Sequence, residues 1–139
     1  MKKIFLFTIC FIIFSCTSAN TIKEENMNFS SCPNTPNCVI SNIEDKDHYI
    51  EALSFKEENL EAINKKLVGV IKSLGGDVVE NTGDYIKANF YSKFFKFEDI
   101  AQFRIDMKEG KIYVKSAAQT GWYDFGVNRK RIEQIRKEL

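Results

Sequence analysis

An alternation of apolar and polar residues limits the fold more than any other feature of the sequence. Within residues 85–92 and again within 97–107, apolar side chains recur at every second position. This period is typical of a strand with one buried face and one solvated face. Residues 77–80 and 112–118 are predicted as the flanking strands, which gives a sheet of four strands. The side chains predicted to face the core are Ile86, Ala88, Phe90, Ala101, Phe103, Ile105 and Met107.

Helices are predicted on both sides of this sheet in sequence. Ser54 and Glu57 have the spacing of a capping box, and apolar residues then recur at helical spacing through residues 60–74. Gly75 and Gly76 follow, as glycines often do after a helix. In the last segment one apolar helix face is formed by Ile132, Ile135 and Leu139. The order α-β-β-β-β-α predicts a two-layer α+β fold, a four-stranded antiparallel meander sheet with both helices on one face.

The other face of the predicted sheet has no partner in this scheme and would be polar. We expect this face to be either solvated or a binding surface. Its side chains would be Lys87, Asn89, Tyr91, Gln102, Arg104 and Lys115.

The N-terminus has the layout of a bacterial export signal. Lys2 and Lys3 precede an apolar run at residues 4–14, which is too short to span a bilayer. The run ends in Ile-Phe-Ser-Cys, which is similar to a lipobox, so we expect cleavage before Cys16 and a lipid on its thiol. Ordinary cleavage after Ala19 is the alternative. The predicted organisation is a signal peptide at 1–15, a tether at 16–31 and one α+β domain at 32–139.

These features predict a location and a set of partners. The protein would be a monomer in the bacterial cell envelope, held in the membrane by its lipid. Because no aspartate follows Cys16, we expect the outer membrane, with the domain facing the periplasm. A formal net charge of +1 gives no signal for nucleic acid. An envelope protein or an anionic ligand is a possible partner, and no cofactor is predicted.

The segment CPNTPNC, residues 32–38, suggests either a disulfide or a metal ligand pair. In an exported chain two cysteines at this spacing are readily oxidised, and the two prolines favour a turn between them. A zinc site would need two further ligands, and His48 is the single histidine of the chain. We therefore predict a Cys32–Cys38 disulfide and no metal. His48 would either act as a base or ligand, or pin the N-terminal loop through a backbone carbonyl.

Charged residues gather at the start of the last helix. Cations such as Arg129 and Arg131 oppose the dipole at a helix N-terminus, so they should have a partner. We predict that Asp124 pairs with one of them and that Asn128 caps the helix, and an external anion is the alternative.

Between Gly121 and Gly126 stand Trp122, Tyr123 and Phe125. These aromatic residues would either plug the end of the sheet or form a contact patch for a membrane or partner.

Three segments together resemble the family known as domain of unknown function 1499. They are CPNTPNCV followed by DHYIEAL, DYIKANFYSKFFKFEDIAQFRID, and VKSAAQTGWYDFGVNRKRIEQIR. The resemblance brings no established activity. The matching residues are His48, Arg104, Ser116, Asp124, Asn128, Arg129 and Arg131. The positions that depart from the family's usual His, Glu, Arg and acidic residues are Lys87, Asn89, Tyr91, Ile100, Gln102 and Gln119.

The departures bear on function because general acid–base chemistry needs titratable groups within reach of each other. We therefore expect a non-enzymatic domain that works by binding or in envelope maintenance, with no catalytic residue assigned. The alternatives are a hydrolase or transferase acting on an anionic or lipid substrate, and a binder of a small ligand. Such an enzyme would use Arg104, Asp124, Arg129 or Arg131.

Overall fold

Six strands and two helices form the fold in a computed structural model that describes residues 29–93 and 95–139. The strands are β1 (Cys38–Ile40), β2 (Leu53–Ser54), β3 (Asp77–Asn81), β4 (Tyr85–Tyr91), β5 (Glu98–Asp106) and β6 (Lys111–Ala118). The helices are α1 (Leu60–Ser73) and α2 (Val127–Glu138). The predicted signal peptide and the first part of the predicted tether, through residue 28, lie outside the described residues.

Strands β3 to β6 form the meander that the alternation predicts. Each pairs antiparallel with the next, in the register Ala88 with Ala101 and Phe103 with Val114. The α+β class and the antiparallel sheet are therefore confirmed. Met107 is the exception among the predicted core residues: it lies beyond the end of β5 and is 37% exposed.

The predicted count of four strands is corrected to six, and the predicted element order gains two strands before α1. Strands β1 and β2 both pair antiparallel with the free edge of β6, with Val39 opposite Ser116 and Leu53 opposite Ile112. They contain three and two residues, too few for an alternating pattern to be visible. Pairing with a strand far along the chain holds them in the sheet.

Helix α1 begins later than the predicted capping box would place it. The side chain of Asn59 accepts a hydrogen bond from the Ala62 N–H at 2.8 Å and caps the helix. The Ser54–Glu57 capping box is wrong, since Ser54 belongs to β2 and Glu57 bonds Lys66 at 2.8 Å.

Both helices cover one face of the sheet and share its core. The buried residues of α1 and α2 that pack on the sheet are Ile63, Leu67, Val70, Ile71, Ile132 and Ile135. Gly76, just after α1, lies so close to β4 that an added Cβ would come within 2.6 Å of the Phe90 ring. No helix within residues 29–93 and 95–139 is long and apolar enough to cross a membrane. No helix of the described residues covers the opposite face of the sheet.

Candidate functional site

A buried ion pair joins helix α2 to strand β5. The Arg131 Nη2 donates to Asp99 Oδ2 at 2.7 Å, and the two side chains are 11% and 12% exposed. The guanidinium also lies 4.3 Å from the centre of the Phe90 ring. Arg131 is thus bound on several sides within the domain.

Asn128 connects this pair to its neighbours and is fully buried. Its Oδ1 accepts from Arg131 Nη1 at 2.8 Å and from the Ser116 hydroxyl. Its Nδ2 donates to Asp124 Oδ2 at 2.9 Å. We call Asp99, Ser116, Asp124, Asn128 and Arg131 the motif cluster. Its buried polar groups find their partners in one another, as burial requires.

Asp124 supports the start of α2 rather than an arginine. Its carboxylate accepts from the backbone N–H groups of Gly126 and Asn128, each at 2.9 Å. The predicted pairing of Asp124 with Arg129 or Arg131 is wrong, because the strand register brings Asp99 under α2. The predicted Asn128 cap is also wrong. Asn128 is the second residue of α2, and the N-cap position is occupied by Gly126, whose φ is 71°.

The other two predicted residues on this side also make internal bonds. Arg129 Nη2 donates to the Tyr49 carbonyl at 2.9 Å. His48 is 8% exposed, with Nδ1 2.7 Å from Asp45 Oδ1 and Nε2 3.1 Å from the Thr35 carbonyl. The imidazole therefore holds the N-terminal loop together, as the second of the two interpretations of His48 predicts.

The same loop contains the predicted disulfide between Cys32 and Cys38, whose Cα atoms are 5.8 Å apart. Ligand atoms of Cys32, Asp45 and His48 lie within 4.8 Å of one another. With the disulfide formed, however, the Cys32 sulfur is not a thiolate, and the imidazole and carboxylate already bond each other. The Cys32–Cys38 disulfide closes this loop, and the three side chains are bonded within it.

The open face of the sheet has a second arginine–aspartate pair. Arg104 Nη1 bonds Asp84 Oδ2 at 3.1 Å, and its guanidinium lies 4.8 Å from the centre of the Tyr85 ring. Gln102 donates to the Tyr85 hydroxyl at 2.9 Å. Within the described part of the chain, Arg104 Nε and Asn89 Oδ1 are buried without a hydrogen-bond partner. We call the outward residues Tyr85, Lys87, Asn89, Gln102, Arg104, Tyr113 and Lys115 the open face.

Two groups of the open face have shifted pKa values. Burial lowers the pKa of Lys115, whose Nζ donates to Ser30 Oγ at 2.8 Å and to the Ser31 carbonyl at 3.2 Å. Burial and a hydrogen bond to Glu109 raise the pKa of Tyr113. The first described residues of the chain thus lie against this face.

Aromatic side chains project from one end of the sheet, and we call them the aromatic end. They belong to the β4–β5 and β6–α2 loops, which adjoin because Gln119 N–H donates to the Glu98 carbonyl at 2.9 Å. The aromatic end comprises Phe95 (76% exposed), Phe97 (54%), Trp122 (69%), Tyr123 (54%) and Phe125 (76%). Of the two interpretations of the aromatic residues between Gly121 and Gly126, the plug at the end of the sheet is wrong, because all three side chains are exposed.

Asp99 is the residue of the motif cluster that the sequence prediction did not single out. The phase of the alternation would have found it, because positions 99, 101, 103 and 105 share one face of β5. A carboxylate at a core-facing position needs a buried partner. Ser116 is core-facing on β6 by the same argument, but the alternation does not say which helix residue covers them.

Fold and site together define a two-layer α+β domain whose charged motif residues bond one another under the second helix. The chain belongs to the family described as Protein of unknown function (DUF1499), whose model matches residues 28–139. The resemblance drawn from the sequence is confirmed. No curated protein and no solved structure matches the chain.

Proposed function

We propose that this protein is a lipid-anchored protein of the bacterial cell envelope whose domain works by binding rather than by catalysis. The observation that carries the proposal is the internal bonding of the motif cluster. Asp99 and Arg131, its central charged pair, are about nine-tenths buried and bound to each other. A general acid or base must reach its substrate within hydrogen-bond distance. This pair is buried and instead holds α2 to the sheet.

The anchor in this proposal is a lipid on Cys16, which lies outside the described residues. Its support is the sequence: two lysines, a short apolar run and a lipobox-like ending. A diacylglycerol holds two acyl chains, and two chains give stable anchoring where one gives reversible binding. We place the protein as a monomer at the outer membrane, with the domain in the periplasm.

The open face is the surface we assign to binding. Lys87 and Lys115 flank Gln102 in one row across three strands, and Arg104 lies one row away. Three cations on one face of the sheet suit an anionic group. The partner would therefore be an envelope protein with an acidic surface or a small anionic ligand.

An enzyme of hydrolase or transferase type, acting on an anionic substrate, is the second candidate. One observation favours it: burial lowers the pKa of Lys115 on the open face, and a lysine with a lowered pKa is a better nucleophile. Both candidates use the same face, so they differ in whether a bound anion is turned over.

The anchor is tested by the mass of the N-terminal peptide and by detergent-phase partitioning of the protein made in a bacterial host. We expect the mature chain to begin at Cys16, carry a diacylglycerol and enter the detergent phase. Cys16→Ser should abolish all three, while Cys10→Ser, within the apolar run, should not. A mature chain that begins at residue 20 without lipid would contradict the anchor.

The binding surface is tested with a photo-crosslinking amino acid placed at Gln102 in intact cells. We expect adducts from this position and none from Lys65, an exposed site on the helical side of the domain. Lys87→Ala combined with Arg104→Ala should remove the adduct at Gln102. Equal labelling at Gln102 and Lys65 would contradict the assignment.

A further inference from the structure

The aromatic end has exposed apolar surface that the domain itself does not use. The rings come in two stacked or tilted pairs, Phe95 with Phe97 at 5.5 Å and Tyr123 with Phe125 at 5.2 Å between centroids. Trp122, next to Tyr123 in sequence, is 69% exposed. Five exposed rings in two adjoining loops mark an interaction site more often than single exposed residues do.

Backbone conformation adds an independent observation at Phe125. Its φ is 55°, in the left-handed region that favours glycine and disfavours bulky side chains. Packing in the core does not offset this cost, because the ring is 76% exposed. Strained backbone that core packing does not offset is often part of a functional site.

Positive charge surrounds the aromatic end. Lys93, Lys96 and Lys130 are exposed in its loops and in the first turn of α2. The neighbouring carboxylates have partners within the domain: Glu98 accepts from Asn89 at 2.8 Å and from Tyr91, and Asp124 accepts from the start of α2. Trp and Tyr side chains are enriched at the depth of the lipid headgroups, and basic residues are attracted to anionic headgroups. Aromatic rings with adjacent lysines have this same combination.

The N-terminal chain enters the domain at this same end. Cys38, covalently joined to Cys32, pairs with Ala117, one residue before the end of β6. Asn37 then donates to the Gly121 carbonyl at 2.6 Å. Residue 29 is thirteen residues after Cys16, so even a fully extended chain keeps it within about 45 Å of a lipid on that cysteine.

We propose that the aromatic end is a membrane-docking surface that lies on the anionic headgroups of the bilayer holding the protein's own lipid. This inference rests on the proposed lipid anchor. Trp122, Tyr123 and Phe125, with Phe95 and Phe97, enter the interface, and the three lysines meet phosphate groups around them. Because the strands β4 to β6 end at this surface, the sheet stands upright on the membrane and the open face points sideways.

Trp122 is the single tryptophan of the chain, so its emission reports on docking without a label. The full-length protein is reconstituted into vesicles of phosphatidylcholine and phosphatidylglycerol, with and without a nitroxide-labelled lipid at headgroup depth. We expect the nitroxide to reduce the emission by about half or more, because tryptophan prefers this depth. Phe95→Ser combined with Phe125→Ser should abolish the quenching. Ile43→Ser, which removes a similarly exposed apolar side chain elsewhere, should leave it unchanged.

The lysines are tested in the same assay by replacing phosphatidylglycerol with phosphatidylcholine. Weaker quenching supports their assignment to anionic headgroups, and unchanged quenching overturns it. A lipidated, vesicle-bound protein whose Trp122 emission is not quenched overturns docking and leaves the anchor intact. If Cys16 is not lipidated, the same chain is added to preformed vesicles. Quenching then supports docking without the anchor, and its absence overturns docking too.

Discussion

Two arginine–aspartate pairs in this protein have similar geometry and different surroundings. Arg131 and Asp99 lie 2.7 Å apart under α2, with side chains 11% and 12% exposed. Arg104 and Asp84 lie 3.1 Å apart on the open face, with side chains 24% and 50% exposed. Each arginine also lies over an aromatic ring, Phe90 for Arg131 and Tyr85 for Arg104.

Burial separates the roles of the two pairs. Removing one partner of a buried pair leaves an uncompensated charge in the interior, which is costly, whereas an exposed pair contributes little to stability. Both arginines belong to the residues on which the sequence resemblance was drawn, and their surroundings differ nonetheless. The Arg131 pair holds α2 to the sheet, and binding is what we propose for the face that contains Arg104.

Arg131→Met should have the largest effect of the changes that compare the two pairs. We expect the free energy of unfolding to fall by about 3 kcal/mol, because Asp99 would be left buried and charged. The matched control Arg104→Met should cost less than about 1 kcal/mol. Urea denaturation followed by far-ultraviolet circular dichroism measures both.

A double variant tests whether the Arg131 loss comes from the orphaned charge. Arg131→Met combined with Asp99→Leu removes both charges, and well-packed apolar replacements of a buried pair are often neutral. We expect the double variant to be more stable than Arg131→Met alone. A double variant that is less stable than the single one would contradict the orphaned charge as the source of the loss.

Asn128→Ala should have the next largest effect, about 2 kcal/mol. It removes the buried side-chain hydrogen bonds of Asn128 to Ser116, Asp124 and Arg131. A buried group that loses its partner costs about 1–3 kcal/mol, and the remaining bonds of Asp124 and Arg131 offset part of this loss. Its counterpart on the open face, Asn89→Ala, should cost less than half as much. Equal losses in urea denaturation would erase the distinction between the two clusters.

Salt should change the coupling free energy of the two ion pairs differently, which is a smaller effect. A double-mutant cycle on Arg104 and Asp84 should give a coupling of at most about 1 kcal/mol, because both side chains reach solvent. Raising the ionic strength to about 1 M should reduce this coupling, since exposed charges are screened. The same cycle on Arg131 and Asp99 should keep its coupling, and a parallel decrease would contradict their burial.

Lys115 gives the smallest effect and the pH dependence. Since burial lowers its pKa below the ordinary 10.5, the unfolded chain binds more protons over the pH range just below that value. Stability should therefore rise with pH there. Comparison of the wild type with Lys115→Met at pH 7 and pH 10 should show a relative gain for the wild type at pH 10. Lys87→Met is the control. If the wild type gains as much stability relative to Lys87→Met as relative to Lys115→Met, the pH dependence does not come from Lys115.

The alternation in sequence was enough to predict β4 and β5 within one or two residues, because every turn of the pattern repeats the same signal. Strands β1 and β2 could not be predicted this way, since two or three residues contain no period and their partner β6 lies far along the chain. The Arg131 partner was missed for a related reason. Asp124 is nearer in sequence, but the β5–β6 register, with Asp99 opposite Ala118, decides which carboxylate lies under the helix.

The disulfide between Cys32 and Cys38 has a mechanical consequence. A pull on the N-terminal chain arrives at Cys32 and passes through the covalent bond to Cys38, the first residue of β1. Residues 33–37 are thereby spared the load, including Asn37 with its bonds to Ala118 and Gly121. The force falls instead on the hydrogen bonds between β1 and β6. A force on the chain before Cys32 therefore leaves residues 33–37 in place, and the domain does not unfold from its N-terminal end.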